Sequence, residues 1–159
     1  AYLQVAHETK NGQPPHCNLD AERTLGTTLL GLIHSDLVKS AHDCSEGGLA
    51  VALAECTFSG LEARNTPRFL GAEIDVSAVE DVRLDALLFG ESHGRVVITT
   101  SELDAVKSVE RAKLLGVPAQ RIGTVGGKQL KLKTPAGEHA WDVVGLHDLW
   151  WNSISNAMA

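Results

Sequence analysis

The sequence is poor in aromatic residues: three tryptophans, three phenylalanines and one tyrosine make up only 4% of 159 positions. Cysteine is scarce too, with Cys17, Cys44 and Cys56 odd in number and widely spaced. Such usage excludes a disulfide framework and points to a reducing cytoplasm. No stretch approaches the ~18 uninterrupted apolar residues of a membrane span. Lysine and arginine total 14 against 20 aspartates and glutamates, for a formal charge of −6 and a pI near 5.6. With no basic cluster, nucleic acid and anionic membrane are excluded as partners. The first residues show no basic segment followed by an apolar run, so no secretory signal is expected. An initiator Met is also missing, and the chain is expected to be a piece of something longer.

What is present is a 43% hydrophobic content, too high for disorder, on a chain long enough for one cored domain. Tyr2 to Val5 reads as a short strand or helix end, followed by the linker Thr9 to Pro15. Leu25, Leu29, Leu30, Ile33 and Leu37 recur at helical spacing, with Asp20 as expected N-cap and an end near Ser35. Val38 to Asp43 reads as a strand. Leu49 to Glu55 is apolar nearly all round, which predicts a helix packed on several sides. Leu70 to Val76 alternates as a half-buried strand, and Leu84 to Phe89 is a short apolar run with helical character. Gly94 to Thr100 is rich in β-branched residues and is the clearest strand. A helix over Glu102 to Leu115 should stop at Gly116, before Val117-Pro118. Strands are expected at Arg121–Val125, Gln129–Lys133 and His139–Val144, and a last helix from Leu146 to about Ile154. The alternation predicts an α/β domain, helices packed on one mixed sheet. No internal repeat is found.

The chemistry concentrates in His42-Asp43-Cys44-Ser45-Glu46-Gly47-Gly48-Leu49. In an extended chain Asp43 and Ser45 face the same way, and His42 and Cys44 the other. Ser45 is placed to cap the following helix through the N–H of Gly47 or Gly48. Two readings stand side by side. In one, free N–H groups and the helix dipole attract a phosphate while Asp43 holds Mg²⁺. In the other, this is a tight strand-to-helix turn whose glycines only permit close packing.

The fourteen residues His42 to Glu55 closely resemble a turn and helix near the C-terminus of the phosphoribosylformylglycinamidine synthase family, within the aminoimidazole ribonucleotide synthetase superfamily. Leu88-Phe89-Gly90-Glu91-Ser92-His93-Gly94-Arg95-Val96-Val97 resembles the family's Phe-Gly-Glu strand start. Gly116-Val117-Pro118 and Arg121 to Gly127 resemble its penultimate hairpin. The likeness runs from about residue 2 to 152.

That resemblance implies an ATP-dependent ligase of de novo purine biosynthesis. The family converts formylglycinamide ribonucleotide to its amidine: ATP activates the amide oxygen as a phosphate ester, and glutamine-derived ammonia displaces phosphate. The chain would be the enzyme's C-terminal α/β domain, residues 16–159, with residues 1–15 leaving a preceding ATP-binding domain. Implied partners are that domain, a glutaminase subunit or domain, and a small-molecule ribonucleotide substrate. The family's catalytic histidine lies upstream, so no catalytic residue is assigned here and the isolated fragment should be inactive. Through the larger members of the family, the resemblance assigns Asp43 to magnesium and Ser45 to a phosphate of an auxiliary ATP or ADP, with Gly47 and Gly48 shaping that cofactor site. Glu91-Ser92-His93 is the counterpart of a Glu-Ser-Gln substrate-binding stretch in the other half of the enzyme, with His93 in place of Gln.

Other readings are weaker on the residues. His16, Cys17, His42 and Cys44 fit no compact zinc spacing, and adjacent strand residues such as His42 and Cys44 seldom form a nucleophile pair. Cys56 reads as a small buried hydrophobe. Trp141, Trp150 and Trp151 are expected mainly to pack the last helix, with Leu88, Phe89 and Trp150 or Trp151 on an apolar docking patch. A selenophosphate or aminoimidazole ribonucleotide synthetase fits Ser45 to Gly48 less well. A non-catalytic scaffold domain that docks its partner domains is the alternative from another functional class.

Overall fold

The computed structural model describes residues 2–58, 68–79 and 81–158. The elements run α1 (Tyr2–His7), α2 (Leu19–His34), β1 (Ser40–Asp43), α3 (Gly48–Phe58), β2 (Ala72–Asp75), α4 (Leu84–Phe89) and β3 (Val96–Thr99). They continue with α5 (Ala105–Leu114), β4 (Gly123–Val125), β5 (Gln129–Thr134), β6 (Gly137–Asp142), α6 (Val143–Trp151) and α7 (Ser153–Ala157). The chain divides into two compact units, residues 1–52 with 88–121 and residues 53–87 with 122–159. The α/β class is as expected, and a mixed sheet is present. Its membership is narrower than the sequence implied: the strands fall into two sheets rather than one.

In the first unit β1 and β3 form an antiparallel pair, Ser40 opposite Thr99 and Asp43 opposite Val96. Helix α2 begins at Asn18, whose side chain accepts the N–H groups of Asp20 and Ala21, each at 3.1 Å. The expected cap, Asp20, instead lies in the first turn, where its charge still favours the dipole. Two helices end in the same way. The N–H of Val117 bonds the Ala112 carbonyl and that of Gly116 bonds Lys113, each at 3.0 Å, with Gly116 at φ +84°. After α2, Leu37 bonds Leu32 at 3.1 Å and Asp36 bonds Ile33 at 2.9 Å. There Asp36 takes the left-handed position, φ +56°, that glycine fills after α5. Tyr2 of α1 stacks on Phe89, ring centroids 4.7 Å apart.

The second unit holds the four-stranded sheet, order β4-β2-β5-β6. Only β2 and β5 run parallel. Period-two alternation buries Ala72, Ile74, Leu130, Leu132 and Thr134 on one face. On the other face the register sets Glu73 beside Lys131 and Asp75 beside Lys133, with ion pairs of 2.6 and 3.1 Å.

Val143 and Val144, expected to end a strand, open α6 instead. Asp142 caps that helix by accepting the Gly145 N–H at 3.1 Å, and Val143 is fully buried. The single last helix breaks at Asn152 into α6 and α7. His147 is buried among the rings of Phe58, Phe69 and Trp151, while Trp150 donates from Nε1 to Glu55. Trp150 and Trp151 are both exposed, against the expectation that they mainly pack the last helix, and Leu88, expected on an apolar docking patch, is buried. No helix of the described residues is long and apolar enough to cross a membrane.

Candidate functional site

Strand β1 ends at Asp43, and beyond residues 44–46 the chain enters α3 through two glycines in the left-handed region, Gly47 at φ +78° and Gly48 at φ +66°. A side chain at Gly48 would meet the backbone of residues 88–90, with the Gly90 carbonyl oxygen 2.7 Å from the added carbon. One at Gly47 would strike Val51 at 2.3 Å. Both glycines are therefore demanded by backbone conformation and by close approach.

The parity argument for Asp43 and Ser45 holds: Ser45 Oγ donates a hydrogen bond to Asp43 Oδ2, and both residues are exposed. This bond is the main reason why the Asp43 carboxyl lies below its ordinary value. Ser45 does not cap α3 with its side chain as expected. Its hydroxyl is directed to Asp43, and the Gly48 N–H bonds the Ser45 carbonyl at 3.1 Å. His42, half-buried, bonds the Asp43 carbonyl through Nδ1 at 2.7 Å. Cys44 is buried beneath the turn, and burial pushes its thiol up, away from a reactive thiolate.

The group that serves the helix start is Glu91. Its Oε1 accepts the Gly47 N–H at 3.1 Å from 44 residues away, and that bond lowers its carboxyl below the ordinary value. The sequence places Glu91 only in the counterpart of a substrate-binding stretch and does not reveal this contact. The available signal was the glycine pair itself, whose N–H groups need an acceptor from elsewhere. Ser92 and His93 are exposed. The loop is fastened to the turn at further points. Cys44 N–H bonds the Arg95 carbonyl at 2.9 Å, and Arg95 Nη1 donates to the Gly90 carbonyl at 3.1 Å.

The donor set suits one kind of cation. Asp43 offers an ionised, solvent-facing carboxylate and Ser45 a neighbouring hydroxyl, both hard oxygen donors. Among the described residues no group of three or more His, Cys, Asp or Glu side chains converges to hold a metal. A single carboxylate fits Mg²⁺, which commonly takes one or two carboxylates and completes its shell with phosphate oxygens and water. It does not fit zinc.

The turn defines the class: an α/β domain that presents a carboxylate and a hydroxyl at a glycine-rich strand-to-helix junction. The chain matches the family described as AIR synthase related protein, C-terminal domain, over residues 1–134, and it belongs to that family. Among relatives, it is 35% identical over 158 residues to the phosphoribosylformylglycinamidine synthase subunit PurL of Alkaliphilus metalliredigens, covering 99% of this chain and 20% of that protein. The chain thus spans about a fifth of that relative's length. In fold it is similar to a solved structure of T. maritima PurL complexed with FGAR, with a TM-score of 0.72 at 19% identity, covering 92% of this chain and 24% of the other. It also resembles T. maritima PurL complexed with ATP, with a TM-score of 0.64 at 20% identity over 79% of this chain and 21% of that one.

Proposed function

We propose that this chain is the C-terminal domain of a phosphoribosylformylglycinamidine synthase, an ATP-dependent ligase that turns formylglycinamide ribonucleotide into its amidine with glutamine-derived ammonia. The observation that carries the reading is the His42–Glu55 segment within a chain 35% identical, over nearly its whole length, to a PurL subunit. In this reading residues 1–15 lead out of a preceding ATP-binding domain, residues 16–159 form the C-terminal α/β domain, and the enzyme works in the cytoplasm with a glutaminase partner.

The role of this chain's residues is to hold an auxiliary nucleotide rather than to do chemistry. Asp43 would place a carboxylate oxygen on Mg²⁺ and Ser45 would turn its hydroxyl to a phosphate oxygen. Magnesium, when bound, supplies charge that neutralises the phosphates. Gly47 and Gly48 serve by keeping side chains out of the approach. Their amides already have acceptors in Glu91 and the Ser45 carbonyl, so a phosphate would be met by the Ser45 hydroxyl, turning from Asp43. The test compares the full-length enzyme with the 159-residue chain, each supplied with ATP, ammonia and formylglycinamide ribonucleotide. Phosphate should be released by the first and stay at background for the second. Turnover by the fragment, or none by the whole enzyme, would sink the reading.

A further inference from the structure

We propose that Glu91 is the positioning residue of the Asp43–Ser45 pair, holding the Gly47 amide and with it the turn that presents both oxygens. The inference rests on the reading of Asp43 as a magnesium ligand given above. Upstream of the pair, the turn is fixed by backbone pairing: Asp43 is opposite Val96 and the Cys44 N–H is on Arg95. Downstream lie two successive glycines, the residues with the widest choice of backbone conformation. A turn made of them is not held by its own dihedral preferences. Closure comes from the Gly48 N–H on the Ser45 carbonyl, and the tie to the rest of the unit from Glu91 on Gly47, 3.1 Å long.

The brace has its own support. The Gly90 carbonyl is held by Arg95 Nη1 at 3.1 Å, Phe89 is clamped by the Tyr2 ring, and Gly48 lies hard against the backbone of 88–90. Glu91 therefore projects from a fixed segment, and its carboxylate sets where Gly47 can sit. With the tie cut, the residues between Cys44 and Gly48 keep their closing bond but lose the contact that fixes Gly47. Ser45 then samples more positions relative to Asp43, which β1 holds opposite Val96, and a magnesium–phosphate cluster must order it on binding.

The experiment uses the full-length enzyme, with ADP and Mg²⁺ as probes followed by titration calorimetry. Glu91→Ala should weaken Mg²⁺-dependent ADP binding roughly tenfold, the scale of one charge-assisted hydrogen bond. In EDTA it should bind ADP as the parent does, a comparison that a general loss of structure would fail. Glu91→Gln, which keeps an oxygen acceptor at the same reach, should stay within about threefold of the parent. If Glu91→Ala does not fold, Glu91→Asp replaces it: the shorter carboxylate should weaken binding while Glu91→Gln does not. Asp43→Asn is the control for the underlying reading and should abolish the magnesium dependence. Loss with Asp43→Asn but parental affinity in Glu91→Ala overturns the positioning role alone. Parental behaviour of Asp43→Asn overturns the magnesium assignment itself.

Discussion

Gly48 packs so tightly against Gly90 that a methyl group on the first would sit 2.7 Å from the carbonyl oxygen of the second. The obstacle is backbone, which cannot rotate aside as a side chain can. Gly48 also lies at φ +66°, where a Cβ is strained in any surroundings. Gly48→Ala should therefore destabilise the chain by about 2–4 kcal/mol. Gly116→Ala is the comparison, at φ +84° with nothing within 4 Å of the added carbon, and should cost only about 1 kcal/mol. Urea denaturation of the two variants separates the contact from the conformational strain; equal losses would refute the contact.

Asp36 after α2 does the work of Gly116 after α5, in a conformation that costs a non-glycine residue free energy. Asp36→Gly should raise stability by about 0.5–1 kcal/mol, seen as a higher melting temperature. The exposed Asp36–Lys39 pair lost in the exchange is too weakly held to reverse the sign.

The Ser108 hydroxyl is buried on α5 without a hydrogen-bond partner among the described residues. Ser108→Ala removes an unpaired polar group and improves helix propensity, so it should stabilise by about 1 kcal/mol in equilibrium unfolding. A loss of stability would mean that the hydroxyl has a partner.

Asp75 couples the second unit to pH. The Ser77 hydroxyl and N–H, with Lys133, bring its carboxyl down from 3.8 to about 2. A carboxyl lowered by folding contributes stability that is complete above its unfolded value and lost as the pH falls through its folded one. The contribution should thus disappear between roughly pH 4 and pH 2. Asp75→Asn should flatten the acid limb of the stability curve in that window and leave its shape above pH 5 unchanged.

Local physics was readable without coordinates. Leucines at helical spacing placed α2, alternation placed β2, and the Gly116-Val117-Pro118 stop ended α5 where backbone conformation requires it. The Asp43–Ser45 pairing was legible for the same reason: two residues of an extended chain, two positions apart, can face only one side. Such rules act across a few residues, within reach of a fixed backbone geometry.

Tertiary structure decided the rest, because a hydrogen-bond partner far along the chain leaves no local trace. Ser45 was the expected cap of α3, but folding brings Glu91 to the Gly47 amide across 44 residues and leaves the Ser45 hydroxyl to Asp43. Asn18 rather than Asp20 capped α2, a choice between neighbouring acceptors made by where the chain turns into the helix. The strands split into a pair and a foursome although each was recognisable alone, since strand propensity says nothing about which edge finds which. Val143 passed from an expected strand to the most buried residue of a helix because Asp142 found the Gly145 amide. Composition and pattern determined the elements and their kinds; long-range pairing of buried faces and orphaned amides determined how they meet.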